Sequence, residues 1–329
     1  MLRSDFLALI SGALVRPRLQ EDKPDASVSG SDQALRVLLG KGSAQRIDAA
    51  SFTFQGRRYR GDFTVLDDGH VVNTVPLEQY LYSVVPREMP PSWPQAALQA
   101  QAIIARTFVL QRSNPNRPYD LVPSEADQVY TGTDAEHPGA SSAVDATAGQ
   151  VLRYGGGFAM AMYSSCCGGH TESSSAAWNG KPVPYLNGVQ CTYCSASPWF
   201  AWNQTVELDR VQSALGAVFP PDFQTDSVQL QDVDPSGRSR TWVFDGSGIP
   251  VPVPAAKVRS AIGTRTLPSL RVQKTIVSAQ APRTLSIEGA GLGHGVGLCQ
   301  WGARGLAQTG ASTGDILRYY YPGTQIGND

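Results

Sequence analysis

The stretch from Pro76 to Arg112, PLEQYLYSVVPREMPPSWPQAALQAQAIIARTFVLQR, constrains the fold more than any other part of the chain. It holds two helical patterns joined by a short proline-rich turn, so the fold must accommodate a helix pair at that point. Leu77, Tyr80, Leu81 and Val84 recur at helical spacing, and Pro86 is expected to stop this helix because it removes a backbone donor. Ser92 reads as the N-cap of the next helix, with Pro94 in its first turn. The Ala-, Leu- and Gln-rich run that follows continues the helix to about Arg112. Glu88 lies in the turn beside Val84, Val85, Met89 and Trp93. A poorly solvated carboxyl has a raised pKa, holds a proton near neutrality and can act as an acid. The competing reading is a glutamate that caps the next helix from outside.

Composition narrows the class. With 41% hydrophobic residues in 329, the chain can bury a substantial core, as one large domain or two. Charged residues make up only 17%, and there are 33 glycines and 23 prolines, which favours strands, turns and ordered loops over a helical bundle. The net charge of −1 gives no electrostatic argument for nucleic acid. The expected class is α+β: mixed sheets, a few helices, a helix pair around the Glu88 turn and a strand-rich inserted subdomain. Ala34–Leu39 is a strand candidate, and Phe52, Phe54, Tyr59, Phe63 and Val65 fall in short runs that suggest hairpins. Val151 to Met162 reads as two short strands turning at Gly155–Gly157. The 203–284 stretch differs in texture, with helices at 209–215 and 255–262 and strands at 227–230, 240–244 and from 270 to 287. The expected organisation is a leader and linker at 1–33, a core of 34–202 with 285–329, and a second or inserted subdomain at 203–284. Arg3 followed by the apolar Phe6–Val15 has the length of an export signal, although Asp5 and the missing small-x-small cleavage site also fit an amphipathic leader. The segment is too short to span a bilayer.

The Pro76–Arg112 stretch closely resembles the sporulation protein D/LytB family of peptidoglycan-modifying proteins, whose members carry an acidic-aromatic helix, an E-M-P turn and an Ala/Gln helix ending in A-R-T. A second match is GLGHGVGLCQWGARGLAQTGASTGDILRYYYPG, Gly291 to Gly323, similar to the family's closing signature. A third covers Gln128-Val129-Tyr130 and YSSCCGGHTESSSAAW, Tyr163 to Trp178. Several long motifs in the same order are far more specific than any one pattern. The resemblance implies a lytic transglycosylase that cuts glycan strands between N-acetylmuramic acid and N-acetylglucosamine, with Glu88 as catalytic acid and base. Gln101, Arg106, Gln128, Tyr130, Tyr163, His294, Gln300 and Trp301 are the expected substrate-binding set. It also implies an exported, periplasmic, wall-associated or secreted location, with peptidoglycan glycan strands and a cell-wall amidase as partners. Some relatives are described as amidase enhancers, so a non-catalytic wall-binding role is the second reading.

A hydrolytic glycosidase usually needs two carboxylates around the bond. Near Glu88 none stands out in sequence, though Glu78, Glu125, Asp127 and Glu172 could approach in the fold. A lytic transglycosylase needs one acid, because the muramic acid's own C6 hydroxyl is the nucleophile. Arg106 reads either as a ligand for the lactate carboxylate or as half of a structural ion pair. His294 lies in the alternating glycine run Gly289–Gly297, and faces either the substrate or a packed turn.

Cys166, Cys167, Cys191 and Cys194, with His170 nearby, read as a zinc site (Cys167, His170, Cys191, Cys194) or as disulfides. Export favours a disulfide joining the first pair to the second, and no metal cofactor. Metal-binding members of the family carry His and Cys just before Q-V-Y. Here that loop, Tyr119 to Asp127, has neither, so the resemblance implies that the family's zinc site is absent. Cys299 stands where many members have serine, which argues against a cysteine nucleophile.

Overall fold

The computed structural model describes residues 33–246 and 248–329, so the expected leader and export signal lie outside the described residues. The described chain forms two compact units, one of 33–162 with 306–329 and the other of 163–305. Helices and small, mostly antiparallel sheets alternate along it, which makes the class α+β. No helix among the described residues is long and apolar enough to cross a membrane.

The first unit opens with strand β1 (Ala34–Lys41), whose Leu35 and Val37 point inward. A meander follows: β2 (Ala44–Asp48), β3 (Ser51–Phe54) and β4 (Arg57–Arg60). Strands β5 (Asp62–Val65) and β6 (His70–Pro76) then complete an antiparallel sheet of order β1-β6-β5. Strand β6 runs directly into helix α1 (Leu77–Glu88), which buries Leu77, Tyr80, Leu81, Val84 and Val85. Pro86 does not stop this helix as expected. It forfeits a single backbone bond so near the end that the helix still runs to Glu88, and Met89 N donates to Val85 O at 3.0 Å. The turn closes with Trp93 N donating to Pro90 O at 2.9 Å. Pro94, rather than Ser92, occupies the N-cap of helix α2 (Gln95–Arg112). This helix is buried almost all round, and its alanines let neighbouring elements approach closely. Helix α3 (Pro138–Asp145) and the hairpin of β7 (Gln150–Tyr154) and β8 (Gly157–Phe158) complete this stretch.

The second unit begins with β9 (Tyr163–Ser164) and helix α4 (Ser174–Trp178), whose N-cap Ser173 accepts from Ala176 N. Next come β10 (Trp202–Glu207), helix α5 (Leu208–Leu215) and a three-stranded meander of β11 (Ser227–Val233), β12 (Ser239–Gly246) and β13 (Ile249–Pro254). Helix α6 spans Ala255–Ile262, as the sequence suggests, and β14 (Val272–Ser278) and β15 (Thr284–Gly289) follow. Trp202, Leu208, Val211, Trp242, Phe244, Val253, Val258, Leu285 and Ile287 share one core. Strand β15 sits between β10 and β14, and this pairing explains why the compact unit is larger than the 203–284 stretch. A short β16 (Leu298–Cys299) pairs in parallel with β9 and leads into helix α7 (Gln300–Gln308).

The chain then returns to the first unit. Helix α8 (Thr313–Tyr320) opens with a Ser312/Asp315 capping box, and Thr313 Oγ1 donates to Gln99 Oε1 of α2 at 2.7 Å. Strand β17 (Gln325–Asn328) pairs with β7.

Thr107 helps tie that sheet to α2. The buried Leu152 N–H of β7 donates to Thr107 Oγ1 at 2.8 Å, and that hydroxyl donates to Ile103 O at 2.7 Å. Thr107→Val keeps the shape and removes the acceptor. The expected cost is about 1–3 kcal/mol in urea unfolding, with Thr107→Ser close to wild type; equal stability of the Val variant would show that this bond contributes nothing.

Candidate active site

Glu88 is the last residue of α1 and is half-buried. One turn back lie Val84 and Val85, and Met89 follows, all fully buried, so the apolar setting read from the sequence is present. Below them Tyr80 is sealed in the interior, and its hydroxyl donates to Gln128 Oε1 at 3.2 Å. Burial, followed by the charges of Asp127, Tyr130 and Glu88, pushes the Tyr80 hydroxyl well above its ordinary pKa, so it stays protonated. Gln128 Nε2 donates to Ala105 O at 3.4 Å. Tyr130 packs against both Tyr59 and Tyr80 and donates to Asn73 Oδ1 at 2.8 Å. Burial raises its pKa too. Asn73 in turn donates to the Arg60 and Asp62 carbonyls at 2.9 Å each. Glu88 therefore stands on the end of a helix supported by a buried aromatic and amide platform.

The expected substrate ligands of this unit are buried in it. Arg106 is fully buried, with Nε and Nη2 on the Glu78 carboxylate at 2.8 and 2.6 Å and Nη1 on Gln150 O at 2.9 Å. A guanidinium so committed is not free to hold a lactate carboxylate. Gln101, Gln128 and Tyr130 are likewise buried. The roles of Tyr80 and Asn73 were missed because, as sequence, they are ordinary members of a helix stripe and a strand.

Of the four acids suggested as a second carboxylate, Glu78, Asp127 and Glu172 are held by arginines, and Glu125 is half-buried in the loop before Gln128. Glu78 is held by Arg106 and Asp127 by Arg112, with Val122 N on the other Asp127 oxygen at 2.9 Å. In the second unit, buried Glu172 pairs with Arg240 at 2.5 Å and accepts from Ser236 at 3.1 Å. Burial raises its pKa against the pull of Arg238 and Arg240.

Tyr163, His294, Gln300 and Trp301 belong to the second unit. The His294 Nδ1 accepts from Val296 N at 3.0 Å, the ring interacts with the Tyr163 backbone, and Trp178 lies 5.5 Å from it, centre to centre. Part of its surface stays accessible, but burial of the ring, with Arg238 beside it, pulls the pKa to about 4. The imidazole is neutral near pH 7. Glycine is required at Gly295, where φ is +80° and a Cβ would collide with the Arg238 guanidinium. Gln300 is buried at the start of α7, and the Arg304 guanidinium lies 4.9 Å from the Trp301 ring centre, covering one of its faces.

The cysteines are not paired as expected. All five are buried, and none is in a disulfide. Cys167 Sγ and Cys194 Sγ are 3.7 Å apart, beyond the ~2.05 Å of a disulfide. Four of them, Cys167, Cys191, Cys194 and Cys299, gather around one point, whereas His170 is turned away, its Nδ1 on Thr171 O at 2.7 Å.

Comparison with known proteins gives a consistent result. The SpoIID family model, described as stage II sporulation protein, matches residues 67–154, the stretch that carries α1, Glu88 and α2. An uncharacterized protein of Brachyspira hyodysenteriae is 33% identical over 84% of this chain and 74% of its own length. An amidase enhancer of Bacillus subtilis is 30% identical over 75% of this chain, which spans 40% of that protein. Stage II sporulation protein D of Bacillus subtilis is 26% identical over 98% of this chain and 92% of its own length.

The Arg106–Glu78 pair yields a direct expectation. Glu78→Gln leaves a buried guanidinium without its counter-charge, and the first unit should lose about 2–4 kcal/mol in denaturant unfolding. An unchanged midpoint would mean that the pair is dispensable.

Proposed function

This chain belongs to the SpoIID family, and we propose that it is a lytic transglycosylase of peptidoglycan glycan strands, with Glu88 as its one acid and base. The observation that carries this reading is the placement of Glu88. It is half-exposed at the end of a helix whose underside is fixed by the Tyr80–Gln128 bond, while Glu78 and Asp127 are bound by arginines. An acid at the end of a helix, partly open to solvent, suits a mechanism in which one group first donates and then takes a proton and no water is consumed.

The steps follow from that constraint. Protonated Glu88 gives its proton to the glycosidic oxygen between N-acetylmuramic acid and N-acetylglucosamine, and the C1–O bond breaks. The resulting carboxylate removes the proton from the C6 hydroxyl of the same muramic acid. The C6 oxygen bonds to C1 and closes a 1,6-anhydro ring, and Glu88 regains its proton for the next cycle. The chemistry so described rests on the first unit alone. The substrate class implies action outside the cytoplasm, at the cell wall.

The similarity to an amidase enhancer supports a second reading, in which the chain binds the wall beside an amidase and does not cut glycan. Glu88→Gln separates the two. It preserves shape and removes the transferable proton, so the rate of new chain ends on purified glycan strands should fall by about a thousandfold, with unchanged circular dichroism. Wild-type activity in the Gln variant would remove Glu88 from the mechanism. An inactive wild-type chain that stimulates an amidase would favour the second reading.

A further inference from the structure

We propose that Cys167, Cys191, Cys194 and Cys299 form a tetrahedral tetrathiolate site for a zinc ion. Their four sulfur atoms lie within 4.8 Å of one another, and all four residues are fully buried. A zinc ion with Zn–S bonds of about 2.3 Å in tetrahedral geometry sets its sulfurs about 3.8 Å apart. The Cys167–Cys194 separation is 3.7 Å, which matches that spacing and not a disulfide. Cys191 and Cys194 supply the C-x-x-C spacing common to zinc knuckles. The other two ligands come from the parallel pair, Cys299 ending β16 and Cys167 following β9.

The backbone holds these segments together without help from the sulfurs. Cys166 and Leu292 exchange two backbone bonds, at 3.2 and 2.8 Å, and Cys191 N donates to Gly169 O at 2.9 Å. Gly305 of α7 packs so closely on Tyr193 O that a Cβ would not fit, which presses α7 against the knuckle. The sulfurs are thus brought to one point by a frame that exists independently of them. Such a preformed frame is what a metal needs for binding at little reorganisation cost.

The surroundings suit thiolates. The Cys167 and Gly302 backbone N–H groups both donate to Cys299 Sγ, at 3.2 and 3.4 Å, the kind of outer support that fixes metal ligands. A zinc tetrathiolate carries two net negative charges. Buried Arg238, whose Nη2 donates to Cys167 O at 3.1 Å, and Arg271, which donates to Gly168 O, place positive charge beside it. An all-sulfur tetrahedral set selects zinc over magnesium or calcium. With four protein ligands the site is closed, so the ion is structural: it staples the knuckle, the strand after β9 and the start of α7. Neither His170 nor the loop before Gln128 takes part. His170 faces the Thr171 carbonyl, and Asp127 is bound to Arg112. The assignment is independent of the proposed glycan chemistry.

Elemental analysis decides it. The whole chain, produced with zinc, purified anaerobically under reducing conditions and dialysed against metal-free buffer, should retain one zinc per molecule. Cys194→Ser and Cys299→Ser should each lose it, whereas Cys166→Ser and His170→Ala should keep it. Cobalt added to the metal-free chain should give intense thiolate-to-cobalt absorption and tetrahedral d–d bands, a readout that needs no folded variant. A folded, zinc-free wild-type chain would overturn the proposal, as would an intact mass showing a disulfide among the four, or a cobalt spectrum without thiolate bands. Zinc retained by Cys299→Ser but lost by His170→Ala would overturn the ligand set.

Discussion

The first unit depends on the buried pair of Arg106 and Glu78. Arg106 lies in the middle of a helix that is apolar nearly all round, where an uncompensated charge would be very costly. Glu78, in the first turn of α1, supplies the counter-charge through two bonds, and also accepts from Gly149 N at 3.3 Å. Arg106 reaches on to the Gln150 carbonyl at the start of β7. One guanidinium thereby fixes the rotation of α1 about α2 and the entry of the hairpin. The far end of α1, where Glu88 sits, inherits that orientation. Positioning of the acid begins with an ion pair ten residues earlier along the same helix.

The second unit is organised around close backbone approach. Its glycine run is explained by what passes over it: Arg238 crosses at Gly295, and the Cys166–Cys167 backbone lies against Gly291. His294 accepts from the Val296 amide, and burial of its ring beside Arg238 keeps it neutral against the pull of the Tyr163 backbone bond. The same crossing brings the cysteines together, so the glycines and the sulfur cluster are two aspects of one packing arrangement.

Legibility from sequence followed how local the cause was. Helix α6 was readable residue for residue because its spacing and flanking proline and glycine are all local. Strand β13 was not, since IPVPVP looks hostile to a sheet. As an edge strand, it uses the prolines on alternate positions, opposite Asp245, Val243 and Thr241, while Val251 and Val253 turn inward. Pro86 was over-read, because a proline's cost depends on how many helical bonds remain to be made after it. Glu88 and its apolar neighbours were visible in one contiguous stretch. The commitment of Arg106 to Glu78 was visible only as an open alternative, since sequence spacing does not say which carboxylate a buried arginine meets. The inclusion of Cys299 with Cys167, Cys191 and Cys194 was out of reach altogether, because it arises from the parallel pairing of β9 with β16, between residues far apart in the chain.

The central claim is that one acid suffices, because the sugar supplies its own nucleophile. Digestion of purified glycan strands in heavy-oxygen water, followed by mass spectrometry of the new ends, tests this most directly. The account predicts 1,6-anhydro-muramyl ends that carry no heavy oxygen. Reducing ends labelled with heavy oxygen would mean that water attacks the bond and a second catalytic group activates it, and would contradict the account.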